Sequence, residues 1–243
     1  SAELGHRFGV PVYPSLDESR VKNELANSMR NSLPGYLGRV MNVWSSGCDG
    51  VLMFNNSGLK DINTGDINDG DRTSDDPNGP GIIYEALEAT AKGRGFINTL
   101  PKTYFVSVRG VGSVAGGALP HEEYIRVSTL NHQAPIPISK NTPVEVLCKI
   151  SDDFDVESVR GRNLAATARI CLSSIPESLT VKLNDRNLDL QPEPDSENMA
   201  NGGRDNSILS KLPIEALISG SNSFLFESER ATELFDLWVD LDY

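Results

Sequence analysis

The sequence is poor in basic residues and in long apolar runs, and each shortage excludes a class of protein. With 34 acidic against 22 basic residues, the formal net charge of −12 opposes binding to a phosphate backbone or an anionic membrane surface. No stretch approaches the roughly 20 consecutive apolar residues that span a bilayer. We therefore expect neither a nucleic-acid partner nor membrane insertion.

The sequence is also poor in cysteine and lacks the common catalytic motifs. Cys48, Cys148 and Cys171 have no CxxC spacing, so they predict no metal site. A disulfide between Cys148 and Cys171 and two separate buried thiols are both open interpretations. Because no HExxH helix, Walker loop or GxSxG elbow occurs, we expect no cofactor and no resident metal.

An acidic run over residues 61–71, DINTGDINDGD, superficially resembles a calcium loop. An EF-type loop needs an oxygen ligand at its fifth position. Counted from Asp61 or Asp66, that position is Gly65 or Gly70, which offers no side-chain oxygen. The run is therefore interpreted as a solvated acidic insertion, with calcium binding as the alternative.

What the first half of the chain does contain is an alternation of strand and helix patterns. Residues 34–55, PGYLGRVMNVWSSGCDGVLMFN, predict a helix, a turn at Gly47 and Gly50, and a buried strand. Further helices are predicted over 18–31 and 82–92, and further strands over 8–13 and 103–108. Such repeats are typical of βα units with a covered, parallel sheet.

After about residue 130 the apolar period changes to two, which predicts half-buried antiparallel strands. The predicted strands cover residues 144–150, 166–172, 179–183, 223–227 and 234–241. Turn residues at 173–174, 184–185 and 219–222 separate them, and residues 191–206 predict a surface loop. We therefore expect two domains, with residues 1–130 α/β and residues 131–243 an all-β sandwich.

Four segments of the first half resemble the C-terminal part of TIM-barrel glycoside-hydrolase-like proteins that carry a C-terminal β-sandwich. GVPVYP at 9–14 is similar to a sixth barrel strand, and YLGRVMNVW at 36–44 to the helix after it. GCDGVLMFN at 47–55 and KTYFVSVR at 102–109 are similar to the seventh and eighth strands. LTVKLNDRNL at 179–188 looks like a strand and turn of the appended sandwich.

The resemblance implies partial TIM-barrel-like βα units followed by a β-sandwich accessory domain. It also implies a bacterial, extracellular or periplasmic protein that binds or hydrolyses a polysaccharide or glycoside. In the commonest barrel glycosidases the acid/base residue follows the fourth strand, whereas this chain is similar from the sixth strand onward. Hydrolysis is therefore expected only together with upstream barrel units, and no catalytic residue is assigned.

Polar and aromatic residues near the predicted strand ends are the candidate sugar contacts, because sugar rings stack on aromatic faces and their hydroxyls bind amides and carboxylates. They are Tyr13, Asp17, Asn55, Arg109, His121 and Glu122. The alternative interpretation is structural, with Tyr13 and Arg109 in the packing and Asp17 at a helix start. A non-catalytic interaction or adhesion module with a degenerate barrel is the alternative function, and self-association through open sheet edges is a further expectation.

Overall fold

The computed structural model describes residues 2–16, 32–53, 82–106, 135–154, 164–193 and 206–243. The chain forms two compact units. The first contains Ser1–Thr103, Ser151–Arg162 and Tyr243, and the second contains Tyr104–Ile150 and Asn163–Asp242. The predicted domain boundary near residue 130 lies outside the described residues.

Four described helices belong to the first unit: α1 Ala2–Arg7, α2 Leu33–Ser45, α3 Ile82–Lys92 and α4 Arg94–Ile97. The helices predicted around residues 36–46 and 82–92 are confirmed, and the one predicted over 18–31 lies outside the described residues. None of the helices in the described ranges is long and apolar enough to cross a membrane.

Helix α2 begins where the sequence provides a cap. The Ser32 hydroxyl accepts a hydrogen bond of 3.2 Å from the backbone N–H of Gly35, and Pro34 occupies the first turn. The buried face of α2 includes Tyr36, Leu37, Val40 and Met41.

Two short strands of the first unit pair in parallel, as the sequence predicts for this region. Strand β1, Ser15–Leu16, lies beside β2, Leu52–Met53, with Ser15 opposite Leu52 and Leu16 opposite Met53. Both strands therefore reach their carboxyl ends at the same edge.

The strand predicted over residues 8–13 is wrong. Phe8 and Gly9 form a turn after α1, with their N–H groups bound to the carbonyls of Gly5 and His6 at 3.0 Å. Gly9 has φ +68°, a conformation that a strand does not contain. The apolar run predicted a buried strand, but Phe8 is 73 % exposed.

Strand β3, Lys102–Phe105, is present where a strand was predicted but not in the predicted sheet. It pairs with the last strand of the chain, so its assignment as an eighth barrel strand beside the seventh is wrong. The Val106 N–H donates to the Leu237 carbonyl at 2.9 Å. A short apolar strand fits either sheet, and its local pattern does not reveal its partner.

The second unit contains the remaining described strands, and they pair in antiparallel fashion, as the sequence predicts. They are β4 Ile136–Ile138, β5 Val144–Ile150, β6 Ala165–Leu172, β7 Thr180–Leu183, β8 Arg186–Asn187, β9 Gln191–Pro192, β10 Asn206–Lys211, β11 Gly220–Glu227 and β12 Thr232–Asp242. A 3₁₀ turn at Ile214–Ala216 precedes β11.

These strands form two sheets. The six-stranded sheet has the order β3-β12-β6-β10-β9, with β4 also on β12, and the four-stranded sheet has the order β5-β11-β7-β8. Ile170 of β6 and Leu237 of β12 are buried on one face of the larger sheet, and Val146 of β5 and Phe224 of β11 on one face of the smaller. Period-two alternation thus identified β5, β6, β7, β11 and β12, whereas β4, β8, β9 and β10 were not predicted as strands.

One predicted turn is present in the structure, whereas a second predicted turn and the predicted surface loop differ from it. Asn184 and Asp185 have φ values of +46° and +69°, which is the I′-like geometry that links β7 to β8. The turn predicted over 219–222 lies largely within β11. Strand β9 lies inside the predicted surface loop, whose residues 194–205 are outside the described part of the chain.

Candidate functional site

Of the six candidate sugar contacts, the structure describes Tyr13 alone. The others, Asp17, Asn55, Arg109, His121 and Glu122, lie outside the described residues, as does the acidic run over 61–71. Their proposed roles therefore stay predictions.

Tyr13 lies before β1 and not at the end of a strand, so its predicted position at a carboxyl strand end is wrong. Its side chain is 57 % exposed. The ring rests against Gly50, where an added Cβ would lie 2.6 Å from a ring carbon. A side chain at position 50 would require the ring to shift, so Gly50 allows Tyr13 to lie against the backbone as an exposed aromatic surface.

A polar pair holds the segment that contains Tyr13. The Asp49 carboxylate accepts a 2.7 Å hydrogen bond from the Val12 N–H, and its Oδ2 lies 2.8 Å from His6 Nε2. The Val12 N–H, and then the His6 side chain, lower the pKa of Asp49 below its ordinary value. This arrangement ties α1 and residues 10–14 to the segment that leads into β2.

The first unit also contains a buried ion pair, Lys102 with Asp152, whose side chains are both 0 % exposed. Lys102 Nζ lies 2.9 Å from Asp152 Oδ1 and donates to the carbonyls of Ile97 at 2.7 Å and Leu100 at 2.6 Å. The Tyr243 hydroxyl donates to the same carboxylate oxygen, and the ammonium lies 4.4 Å from the Tyr243 ring centroid.

This buried cluster is structural. Burial lowers the pKa of Lys102, while Asp152 opposes that shift. All three donors of the ammonium already have oxygen partners, so none is directed at a substrate. The cluster was not predicted, since Lys102 occupies a position that the sequence assigns to a strand start.

The second unit contains a polar cluster that sequence reasoning missed. Trp238 of β12 and Arg169 of β6 are directly opposite each other, and the guanidinium carbon lies 5.4 Å from the indole centroid. Arg169 Nη2 pairs with Glu193 Oε1 at 2.8 Å, and the Phe105 ring lies 6.1 Å from that of Trp238. We call Arg169, Glu193 and Trp238 the Trp238 cluster.

Each residue of the Trp238 cluster has a buried polar atom with no hydrogen-bond partner in the described structure: Arg169 Nε, Glu193 Oε2 and Trp238 Nε1. Trp238 is 0 % exposed, and the Glu193 side chain is 8 % exposed. The available signal in the sequence was Arg169 in the strand ATARICL, but a polar residue at an alternating position is also typical of a solvated face.

The described residues contain no group of three or more His, Cys, Asp or Glu side chains that could hold a metal ion. No disulfide joins the three cysteines, all of which are described. Cys148 belongs to the four-stranded sheet and Cys171 to the six-stranded sheet, so the cross-strand pairing left open from the sequence does not form. Burial raises the pKa of Cys148 to about 12, which keeps it a thiol.

Comparison with known proteins gives only weak structural likenesses. No protein family matches the chain, and no curated protein matches it. A β-porphyranase of glycoside hydrolase family 86 from the human gut bacterium Bacteroides plebeius is 13 % identical with a TM-score of 0.37, over 59 % of this chain and 20 % of that one.

Two structures of BuGH86 in complex with neoagarooctaose, one of them wild type and one a variant, show the same weak likeness. Each is 9 % identical with a TM-score of 0.36, over 58 % of this chain and 18 % of that one. The matched region thus spans about a fifth of the length of these enzymes. The structural neighbours are glycoside hydrolases, and the likeness assigns no activity to this chain.

Proposed function

We propose that this chain is a carbohydrate-directed protein of the glycoside-hydrolase-like kind, which binds a polysaccharide or glycoside in an extracellular or periplasmic bacterial setting. The observation that carries the proposal is the parallel pair β1 and β2, in which Leu16 lies opposite Met53. Ligands of parallel α/β sheets bind beyond the carboxyl ends of the strands.

Two of the candidate contacts follow that edge in the sequence. Asp17 is the next residue after Leu16, and Asn55 is the second after Met53. A carboxylate and an amide supply the acceptors and donors that sugar hydroxyls require. In this proposal Asp17 and Asn55 are the central sugar contacts, and Arg109, His121 and Glu122 stay further candidate contacts.

Tyr13 has a separate role in the proposal. It precedes β1, so it lies on the amino-terminal side of the strand that leads to Asp17. Its exposed ring, supported by Gly50, offers a stacking surface for a further sugar ring of a long ligand. Removal of Tyr13 should therefore weaken binding to long oligosaccharides more than binding to short ones.

The proposed architecture is a partial TIM barrel within residues 1–130, without β3, which pairs with β12, and a β-sandwich that includes the strands of residues 131–243. The parallel pair in the first unit supports the barrel. Two sheets that each bury an apolar face support the sandwich. Hydrolysis by a carboxylate acid and base would need upstream barrel units, because no pair of carboxyls flanking a substrate is identified here.

A glycan array followed by calorimetric titration tests the proposal. We expect the chain to bind one or more glycans, and Asn55→Ala to lose about tenfold in affinity, the value of one hydrogen-bonding side chain. Asn187→Ala, an exposed asparagine in β8 of the second unit, is the matched control and should bind as the wild type does. A blank array, or equal affinities for both variants, would reject the proposal.

A non-catalytic interaction or adhesion module is the second candidate, and one observation favours it. Several large apolar side chains of the first unit are about half exposed or more: Leu4, Phe8, Val10, Tyr13 and Leu52. Exposed apolar surface of this kind is typical of association sites. Light scattering over a range of concentrations distinguishes the two functions, because self-association that Phe8→Ser abolishes would favour the module.

A further inference from the structure

Strand β5, Val144–Ile150, lies at an edge of the four-stranded sheet. In the part of the chain that the structure describes, it has β11 on one side and no strand on the other. With seven residues it is longer than the described edge strands β3, β8 and β9. An edge strand presents backbone N–H and C=O groups that can pair with a further strand, so a long one is a candidate interaction surface.

The residues of β5 whose backbone groups face this edge can be identified from β11. The Ser223 carbonyl accepts from the Asn184 N–H at 2.9 Å, and the Ser223 N–H donates to Asn184 Oδ1 at 2.8 Å, so the backbone groups of Ser223 face away from β5. Ser223 lies opposite Leu147, and successive residues of an antiparallel ladder bond alternately to the two sides. The backbone groups of Glu145, Leu147 and Lys149 therefore point away from β11, toward the edge.

The side chains of the same three residues share the outer face of the sheet. Glu145 and Leu147 are exposed, Leu147 to 50 %, whereas Val146 and Cys148 are fully buried on the opposite face. The Ser223 hydroxyl donates to Glu145 Oε1 at 2.6 Å, which holds the carboxylate on the outer face. The edge therefore presents an acid, a leucine and a base at alternate positions.

This order is self-complementary about Leu147. When a second copy of the chain pairs antiparallel with the two Leu147 residues opposite each other, Glu145 of each copy lies opposite Lys149 of the other. All three positions then exchange backbone hydrogen bonds with the residues opposite them. A register centred on Glu145 or on Lys149 would oppose like charges, which is unfavourable. Charge and backbone direction thus favour the same register.

We propose that β5 is a self-association edge, at which two copies of the chain pair antiparallel about Leu147 to form one continuous sheet. A two-fold axis relates the copies, so the interface is closed and the product is a dimer. One acid and one base make the edge locally neutral, although the chain carries a net charge of −12. The dimer is independent of the proposed function, because it uses no residue of the proposed site at β1 and β2.

Charge reversal tests the proposal, with sedimentation velocity of the full chain over a range of concentrations as the measurement. We expect the wild type to dimerise. Glu145→Lys or Lys149→Glu places like charges opposite each other twice in the symmetric dimer, so each should weaken dimerisation about thirtyfold. Lys211→Glu, an exposed lysine at the end of β10 in the other sheet, is the matched control and should leave the dimer unchanged.

Two combinations of these variants separate lost pairing from damaged folding. The double variant Glu145→Lys/Lys149→Glu restores opposite charges at both pairs and should dimerise about as well as the wild type. An equimolar mixture of the two single variants should form a mixed dimer, because one copy then presents only bases and the other only acids. A double variant as weak as the single ones, with no mixed dimer, would overturn the proposal.

Hydrogen exchange measured by mass spectrometry locates the interface. The peptide that contains residues 144–150 should exchange more slowly at dimerising concentrations than in dilute solution. A chain that stays monomeric at millimolar concentration would overturn the proposal, and slow exchange of that peptide in the monomer would show that another segment of the chain covers the edge. A dimer that Phe8→Ser abolishes and Lys149→Glu does not would also overturn it, because association would then occur through the first unit.

Discussion

The contacts that stabilise each of the two units from within differ between them. The described sheets of the second unit are built from strand pairing and from apolar faces such as that of Ile170 and Leu237. The first unit adds a fully buried ion pair, Lys102 with Asp152, whose members are far apart in the sequence. The ion pair of the second unit, Arg169 with Glu193, is less completely covered, with side chains 21 % and 8 % exposed, so the loss of one charge should cost the first unit more.

The largest predicted effect is that of Lys102→Met. It removes the cation but leaves the Asp152 carboxylate buried, with the Tyr243 hydroxyl among its partners. We expect the free energy of unfolding to fall by about 3–5 kcal/mol, the usual cost of removing one partner of a buried ion pair. Urea denaturation monitored by circular dichroism measures it.

Lys92→Met is the matched control. Lys92 pairs with Glu88 at 2.7 Å one helical turn away, with side chains 48 % and 66 % exposed. Its loss should cost about 0–0.5 kcal/mol, as for other exposed pairs in helices. Equal losses for the two lysines would show that the buried pair has no special role.

Gly38→Ala should have the next largest effect. An added Cβ at Gly38 would overlap the backbone carbonyl of Thr103, which cannot move as a side chain does. We expect a loss of about 1–3 kcal/mol from overpacking. Gly95→Ala, which meets nothing within 4 Å, is the control and should be neutral or slightly stabilising. A neutral Gly38→Ala variant would contradict the close approach of α2 to Thr103.

The sequence could predict local strand patterns, but not the contacts between segments that are distant in the chain. The alternation of apolar and polar residues predicted strands such as β5 and β12, because the pleat of a strand directs successive side chains to opposite faces. It did not reveal that β3 pairs with β12, nor that Lys102 meets Asp152, since both depend on segments that are distant in the sequence. The run over residues 8–13 predicted a strand because its composition is apolar, although the φ of Gly9 requires a turn.

The candidate site was less predictable than the fold. Asp17 and Asn55 were chosen because they follow the strands predicted over 8–13 and 51–55. The first of these strands is wrong, and it is the unpredicted β1, beside β2, that precedes Asp17. The Trp238 cluster could not be found in the same way. A polar residue in an alternating strand is ordinarily solvated, and the burial of Arg169 beside Trp238 depends on how the strands pair.

A smaller effect is predicted for Asn184→Ala in the second unit. The Asn184 amide donates to the Ala216 carbonyl at 2.7 Å and accepts from the Ser223 N–H at 2.8 Å, and its φ is +46°. We expect a loss of about 1–2 kcal/mol in urea unfolding. Asn184→Gly removes the same bonds but relieves the backbone, so it should cost less. If both variants cost the same, the positive φ contributes nothing.

The smallest predicted effect is that of pH on the exposed Asp49. Because its folded pKa is lowered, the stabilisation by Asp49 is present above its ordinary value of 3.8 and is lost as the pH falls through the lower folded value. Asp49→Asn should therefore lower the thermal midpoint at neutral pH, and the difference from wild type should shrink below about pH 4. A difference that does not vary with pH would contradict the Val12 and His6 contacts.

The most direct test of the central claim is a crystal structure of the chain with a glycan that it binds on the array. We predict a sugar residue within hydrogen-bonding distance of Asp17 and Asn55, at the edge where Leu16 and Met53 end β1 and β2. A sugar bound elsewhere with that edge empty, or the absence of any glycan that binds, would contradict the claim.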